Sequence, residues 1–304
     1  MILDEVTSDR VGAQRRNMQL KSGPSCLIGL VGKGIRRSKS PAMHQHEADA
    51  LGLRCVYQLI DLNVLGLGLE DLPRVLDSAQ LMGFAGLNIT HPCKQAVIPL
   101  LDELSEEARA IGAVNTIRFK DGRRLGYNTD APGFAASLRR GLPDAPLSRI
   151  VQLGAGGAGA ATAYALLKLG ATSLTLFDIQ RDRALALADS LGRIFGSARI
   201  QLAADLEAAV SQAQGLVQAT PIGTREHPGM PLDGNWLRPD LWVAEVVYFP
   251  LETELLHAAR AQGSRTLDGG GMAVFQAAAA FEIFTQLKAD GERMLRNFET
   301  IPGD

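Results

Sequence analysis

Lys94 and Asp130 are the residues of this sequence best suited to handling a proton at a hydroxyl or carbonyl group. A carbonyl under hydride attack develops alkoxide charge, so a cation or proton source is needed at its oxygen. Lys94 can supply the ammonium, and Asp130 can fix it in place and hold it protonated. Four polar segments surround this pair in the sequence: Ser38-Lys39-Ser40-Pro41, Asn88-Ile89-Thr90-His91-Pro92-Cys93-Lys94, Ala113-Val114-Asn115-Thr116 and Asn128-Thr129-Asp130. Each alone reads as turn formers and caps. Together they offer Ser38 and Ser40 as hydroxyl donors to a carboxylate. Asn88, Thr90, Asn115 and Gln276 would serve as donor–acceptor groups for the hydroxyls of a small ring acid.

A hydride needs a carrier, and the glycine-rich run Gly154, Ala155, Gly156, Gly157, Ala158, Gly159 fits G-x-G-x-x-G. It follows the apolar stretch 150–153 and opens an alanine-rich stretch. In that context glycines permit a tight turn and close approach of backbone to pyrophosphate, beside the positive end of a helix. A small-residue loop for helix–sheet packing is the bland alternative. Twenty-four positions after the first glycine stands Asp178, at the end of the next apolar run. A carboxylate there accepts hydrogen bonds from both adenosine ribose hydroxyls and repels a 2′-phosphate, which favours NAD; NADP stays open. Its alternative role is a helix cap. Arg181 and Arg183 complicate the choice, since either can swing toward a 2′-phosphate, while Arg183 can equally stack on adenine or lie on a solvated helix face.

These groups need a scaffold with strand ends facing one cleft. Apolar, β-branched runs predict strands at 26–31, 56–60, 84–89 and 114–119, with helical spacing at 41–51, 69–79 and 105–111 between them. Ser105 followed by two acidic residues suits a helix start. After a proline-containing break at 143–148 the alternation resumes. Strands are predicted at 149–153, 173–177, 215–219 and 242–247, and helices at 157–169, 181–194, 252–261 and 272–287. The last is apolar on most faces and is expected to be buried. This order predicts a two-domain α/β protein: a substrate domain with a mostly parallel sheet and a Rossmann-type dinucleotide domain. We place a flexible tail at 1–24, the substrate domain at 25–125 completed by 269–304, and the dinucleotide domain at 126–268.

The composition fits. With 304 residues, 46% hydrophobic and 21% charged, there is ample core for two domains. A net charge of −2 gives no reason to expect nucleic-acid or membrane binding. No apolar run is long enough to span a bilayer and the polar start lacks a secretory core, so the expected location is cytoplasmic. Cys26, Cys55 and Cys93 are odd in number and contain no CxxC pair, so neither zinc site nor disulfide framework is suggested. His44, His46, His91, His227 and His257 have no metal-ligand context, and no metal is expected. The expected partner is a small-molecule substrate, for a monomer or homodimer.

Taken in order, the motifs resemble the shikimate dehydrogenase family from about Leu27 to Leu287, and most closely its NAD-using quinate/shikimate branch. They are Ser38-x-Ser40-Pro41 with His44, Asn88-x-Thr90-x-Pro92-x-Lys94, Gly112-Ala113-Val114-Asn115-Thr116 and Asn128-Thr129-Asp130-x-x-Gly133. Then follow the glycine loop, Ala219-Thr220-Pro221, Tyr248-x-Pro250-x-x-Thr253, and Asp268-Gly269-x-Gly271-Met272 with Gln276. The resemblance implies reversible NAD(P)-dependent oxidation of shikimate to 3-dehydroshikimate, with quinate a second substrate, in the shikimate pathway of aromatic amino acid biosynthesis. It makes Lys94 and Asp130 the catalytic pair. Ser38, Ser40, Asn88, Thr90, Asn115, Tyr248 and Gln276 would hold substrate. The glycine loop, Asp178, Arg183, Thr220 with Pro221, Val247 and Gly271 would line the cofactor, with Met272 near the nicotinamide. It also implies a cleft that opens and closes. Arg36-Arg37 before the first serine, and Phe177-Asp178-Ile179-Gln180 in place of a basic segment, depart from the NADP-using branch; Ser40 stands where the quinate branch often has Thr. Two rivals remain: a related dehydrogenase of another small hydroxy or amino acid, and a dinucleotide-binding sensor without turnover. Intact Lys94 and Asp130 argue against the sensor.

Overall fold

The computed structural model describes residues 25–301; the tail expected at 1–24 and residues 302–304 lie outside them. The alternation of apolar strands and amphipathic helices folds into two six-stranded sheets. The first unit begins with β1 (Ser25–Gly32), α1 (Ser40–Ala50), β2 (Arg54–Asp61), α2 (Leu62–Leu65) and α3 (Leu72–Leu81). It continues through β3 (Gly86–Ile89), α4 (Cys93–Ala96), β4 (Glu103–Leu104), α5 (Glu106–Ile111), β5 (Thr116–Lys120) and β6 (Arg123–Tyr127). Its sheet has the order β2-β1-β3-β5-β6-β4. Helix α5 starts as its sequence dictates, with the Ser105 hydroxyl accepting the Ala108 N–H at 3.1 Å.

The first sheet is mixed. β1 pairs with β2 and β3 in parallel, but β5 runs antiparallel to β3 and turns back as β6. The turn is the two-residue Asp121-Gly122 loop, with φ of 51° and 76°. Both central residues are left-handed, the geometry a tight hairpin requires. β6 runs through the boundary expected at 125/126, and its pairing with β5 and β4 keeps Gly126 and Tyr127 in the first sheet.

Helix α6 (Asp130–Gly141) leads to the second unit. Its elements are β7 (Arg149–Leu153), α7 (Gly157–Lys168), β8 (Ser173–Phe177), α8 (Arg181–Phe195), β9 (Ile200–Leu202) and α9 (Leu206–Gln212). They are followed by β10 (Gly215–Gln218), β11 (Trp242–Glu245), α10 (Glu254–Ala261) and β12 (Thr266–Leu267). Every strand pair is parallel, in the order β12-β11-β10-β7-β8-β9. The chain winds outward from β7 to β9, then restarts at β10 on the other side of β7. The loop after β7 therefore stands at the switch point, where open α/β sheets bind ligands.

The chain ends in α11 (Gly269–Thr285) and α12 (Gly291–Thr300). At 1.5 Å per residue, α11 is about 25 Å long, enough to serve both units. Met272 near its start packs in the core of the second unit with Ala131 and Phe134 of α6. Phe281, Ala280 and Phe284 near its end pack against β1, β2 and α1. This double duty explains an apolar surface on most faces. Helix α12 is fixed by Arg293, which donates to the wholly buried Glu47 of α1 at 2.7 and 2.9 Å.

Candidate active site

Lys94 and Asp130, 36 positions apart, meet: the ammonium lies 2.5 Å from the carboxylate oxygen Oδ2. Lys94 stands on the single turn α4 just past β3, and its carbonyl accepts the Val114 N–H at 2.9 Å. Asp130 is the first residue of α6, whose start is set by Asn128, which takes the N–H groups of Asp130 and Ala131. The side chains are 22% and 8% exposed, so the pair is sheltered yet reachable from solvent. Such a charged pair, when desolvated, holds its geometry strongly.

A buried hydrogen-bond chain leads away from it. Asn115 donates to Asp130 Oδ1 at 2.8 Å, to Thr129 Oγ1 at 2.9 Å and to Gln276 Oε1 at 3.4 Å, and it accepts the Thr129 N–H at 2.8 Å. Asn88, the register partner of Thr116, donates to the Thr116 hydroxyl at 3.1 Å and to the Asn115 carbonyl at 3.3 Å. The Tyr57 phenol donates to Asn88 Oδ1 at 2.8 Å and also meets the Ser40 hydroxyl. The Ser40 N–H in turn donates to Ser38 Oγ at 3.2 Å. Seven of the expected groups are thus joined from Ser38 to Lys94. Tyr57, buried on β2, is the member that sequence reading missed.

The serine turn is held from below. Asp61 ends β2 and accepts the N–H groups of Gly34 and Ile35 at 3.0 and 2.9 Å. Burial opposes its charge, but the N–H groups of Gly34, Asn63, Ile35 and Val64 prevail and keep its carboxyl below the usual range. Lys39, between the serines, points the other way and donates to the Ile301 carbonyl at 2.9 Å. Thr90 is fixed through its backbone, its N–H on the Val31 carbonyl, and is half-buried. Cys93 is fully buried, which pushes its thiol up to about 11.

Across the cleft, Gly154 adopts φ of +95°, and a Cβ there would lie 2.7 Å from the Ala219 carbonyl. No other residue fits that turn without strain. Gly156 caps α7 without a side chain and has open space where a Cβ would point. Gly157 faces Lys94, whose Cδ lies 3.9 Å from its Cβ position. The pair and the glycine turn therefore face one another. A 12-residue helix presenting backbone N–H groups at an open glycine turn fits a pyrophosphate. Asp178 accepts the Ala155 N–H on one oxygen and the Gln180 N–H on the other, each at 2.8 Å. The cap of α8 is Gln180, so Asp178 shapes both loops from two positions earlier. Each oxygen keeps acceptor capacity for a hydroxyl.

The other expected cofactor residues divide. Thr220 follows β10, its N–H on Gln218 Oε1 at 3.0 Å and its hydroxyl accepting from Gln218 Nε2 at 2.8 Å. Pro221 is exposed beside it. Gly271 lies so close to α6 that a Cβ would meet Ser137 Oγ at 2.3 Å. Val247 and Met272 are buried, and Arg183 is exposed on α8. Tyr248 is 42% exposed. Desolvation within the cleft and then the Asp130 carboxylate raise its phenol, which ties it electrically to the pair.

Three further groups organise this side, and no motif announced them. Gln152 on β7 donates to the carbonyls of Gly154 and Gly159 at 2.9 and 2.8 Å and accepts the Thr162 hydroxyl at 2.8 Å. In the loop after β10 Gln218 donates to the Ile222 carbonyl and accepts the Thr220 N–H, and in the loop after β11 Glu245 accepts the N–H groups of Val246 and Val247. Each is fully or almost fully buried near the C-terminal end of its strand. Among the described residues there is no cluster of three or more His, Cys, Asp or Glu able to hold a metal, and no helix is long and apolar enough to cross a membrane.

Comparison with known proteins accords with this geometry. Residues 30–117 match the family model of the shikimate dehydrogenase substrate binding domain. The shikimate dehydrogenase (NADP(+)) of Streptomyces avermitilis is 56% identical over 281 residues, spanning 92% of this chain and 97% of that protein. The quinate/shikimate dehydrogenase (NAD(+)) of Corynebacterium efficiens is 48% identical over 91% of this chain and 99% of its own. The structure of quinate dehydrogenase from Corynebacterium glutamicum in complex with NAD superposes with a TM-score of 0.87 at 46% identity, covering 92% of this chain and all of that one. With such identity along almost the full length of its relatives, the chain belongs to the shikimate dehydrogenase family.

Proposed function

We propose that this protein catalyses the reversible oxidation of shikimate to 3-dehydroshikimate, with NAD as its preferred cofactor and NADP as a poorer one. The observation that carries this reading is the Lys94–Asp130 pair, 2.5 Å apart and facing the glycine turn. When bound, the dinucleotide takes or returns the hydride. Everything else falls to the chain. Ser38 and Ser40 hold the ring carboxylate, and Asn88, Thr90, Asn115 and Gln276 orient the hydroxyls. Tyr248 closes the substrate from the side of the second unit. In the oxidative direction the Lys94–Asp130 pair receives the hydroxyl proton; in reduction it returns that proton to the forming alkoxide.

In this reading the substrate domain comprises 25–127 completed by the C-terminal helices from 269 onward, and the dinucleotide domain 128–268, the junction lying two residues beyond the expected 125/126 because β6 runs to Tyr127. Asp178 supports NAD, since a fixed carboxylate at the ribose repels a 2′-phosphate. Quinate is the second substrate, favoured by the relatives that are named for both acids. The enzyme works in the cytoplasm as a monomer or homodimer on small molecules. The test is a matrix of initial rates for shikimate and quinate, each with NAD and NADP, read at the reduced-nicotinamide absorbance. Highest kcat/KM for shikimate with NAD is expected. No reduced nicotinamide in any of the four combinations would leave a sensor or a dehydrogenase of another acid.

A further inference from the structure

Glu245 has no part in the chemistry above, yet it is 1% exposed at the very end of β11. It is the register partner of Gln218 on β10. Its Oε1 accepts the N–H groups of Val246 and Val247 at 3.1 and 3.2 Å. Its Oε2 accepts the Thr253 hydroxyl at 3.1 Å. Thr253 is the cap of α10 and itself accepts the Leu256 N–H at 3.2 Å. Both ends of the segment 246–253 are therefore fastened to one carboxyl group, and Tyr248 rides on the arc between them.

The neighbouring loop passes close to Thr253 and the same group. Gly223 has φ of +101°, and a Cβ there would lie 3.3 Å from Thr253 Cγ2 and 4.0 Å from Glu245 Oε2. The Arg225 guanidinium lies 4.7 Å from the centre of the Phe249 ring, joining the two loops a second time. The loop after β10 carries Thr220, and the loop after β11 carries Tyr248. They converge on Glu245 from either side.

We propose that Glu245 is a positioning residue that fixes Tyr248 opposite the Lys94–Asp130 pair and, through Thr253 and Gly223, sets the Thr220 loop beside it. It does so without touching substrate or cofactor. The kinetic part of this inference rests on the functional reading above; the structural part does not. A buried carboxyl group that merely stabilised the second unit would change stability and leave the two loops and the substrate affinity as they are.

Three variants separate these. In Glu245→Gln the amide oxygen still accepts both N–H groups and its nitrogen can donate to Thr253, so both fastenings survive. Glu245→Ala loses both, and Thr253→Val loses only the far one. We expect Glu245→Ala to raise the KM for shikimate by about tenfold, with a smaller fall in kcat. Thr253→Val should give a smaller rise of the same kind, and Glu245→Gln should stay within about threefold of wild type. The dissociation constant for NADH, held chiefly at the glycine turn, should move less than the KM in all three. Hydrogen exchange needs no turnover. In Glu245→Ala it should speed up together in 219–225 and 246–253 and stay unchanged in 154–160. If Glu245→Ala does not fold, Thr253→Val and Glu245→Gln carry the same comparison. Faster exchange confined to 246–253, or an unchanged KM with only a lower melting temperature, overturns the proposal. A wild-type protein inactive on shikimate sinks the functional reading alone, and the exchange data still decide the role of Glu245.

Discussion

Removing Lys94 leaves the Asp130 carboxylate beside Asn115 with its charge partner gone, in a site only 8% exposed. Lys94→Ala should therefore lower kcat by about 10²–10⁴-fold, the usual reach of a positioned proton carrier. NADH affinity, measured by fluorescence titration, should change little because the glycine turn is intact. Turnover at the wild-type rate would remove Lys94 from the mechanism. Asp178 answers a different question. Asp178→Ala removes the carboxylate and the acceptor of the Ala155 N–H, so kcat/KM with NAD should fall while that with NADP holds or rises, shifting their ratio by about tenfold or more. If the wild type already prefers NADP, that assignment goes. At this scale the sequence was legible where chemistry clustered: Ser38, Ser40, Asn88, Asn115, Asp130 and Gln276 form one connected chain. It was not legible for Tyr57, Gln152, Gln218 and Glu245. None belongs to a polar cluster in the sequence, and the use of each is set by loops and strands brought alongside only in the fold.

Elements carry these residues to their places, and the crossing of α6 with α11 sets the position of Asp130. At Gly133, one turn after Asp130, an added Cβ would lie 2.7 Å from the Gln276 backbone nitrogen and 2.8 Å from its Cβ. Neither atom sits at the end of a flexible chain, so the helices must part. Gly133→Ala should cost about 1–3 kcal/mol of stability and should lower kcat, because α6 moves Asp130 while α4 keeps Lys94. Calorimetry alongside steady-state kinetics checks this; a melting temperature and kcat both at wild-type values would show that the contact yields freely. The helix α11 itself was foreseen from its apolar faces, and most parallel strands from their runs. The hairpin was not, although Asp121-Gly122 is a strong two-residue turn signal, because the run 114–119 also suits a parallel strand. Helices α6 and α12 also escaped notice. The buried face of α6 has helical spacing but is half small or polar, Asp130, Gly133 and Ser137 standing beside Ala131, Phe134 and Leu138, and α12 offers only Met294 and Phe298 as buried residues.

On the scale of the whole molecule, two buried titratable groups, one in each unit, pull stability in opposite directions with pH. His44, its ring centre 4.8 Å from that of Tyr57 in a tilted contact and wholly buried, has its pKa lowered from 6.5 to about 4 by burial, against the opposing hydrogen bond to the Ser40 carbonyl. The unfolded chain binds this proton more readily, so the His44 contribution is complete above pH 6.5 and is lost as pH falls toward 4. Glu245 is the reverse. Burial raises its pKa from 4.5 to about 8 in spite of the N–H and hydroxyl groups around it. The folded state keeps the proton longer, so its contribution is complete below pH 4.5 and is lost as pH rises toward 8. Each slope is about 1.4 kcal/mol per pH unit within its window. From these two groups, stability should be level between pH 4.5 and 6.5, where the slopes cancel, and should decline from 6.5 to 8. Urea midpoints at pH 4.5, 6.5 and 8 read this directly. In Glu245→Gln the decline above 6.5 should vanish and stability should instead climb between 4.5 and 6.5; in His44→Asn the level stretch should become a continuous fall. A wild-type decline above pH 6.5 that survives Glu245→Gln would mean that another group is responsible for it.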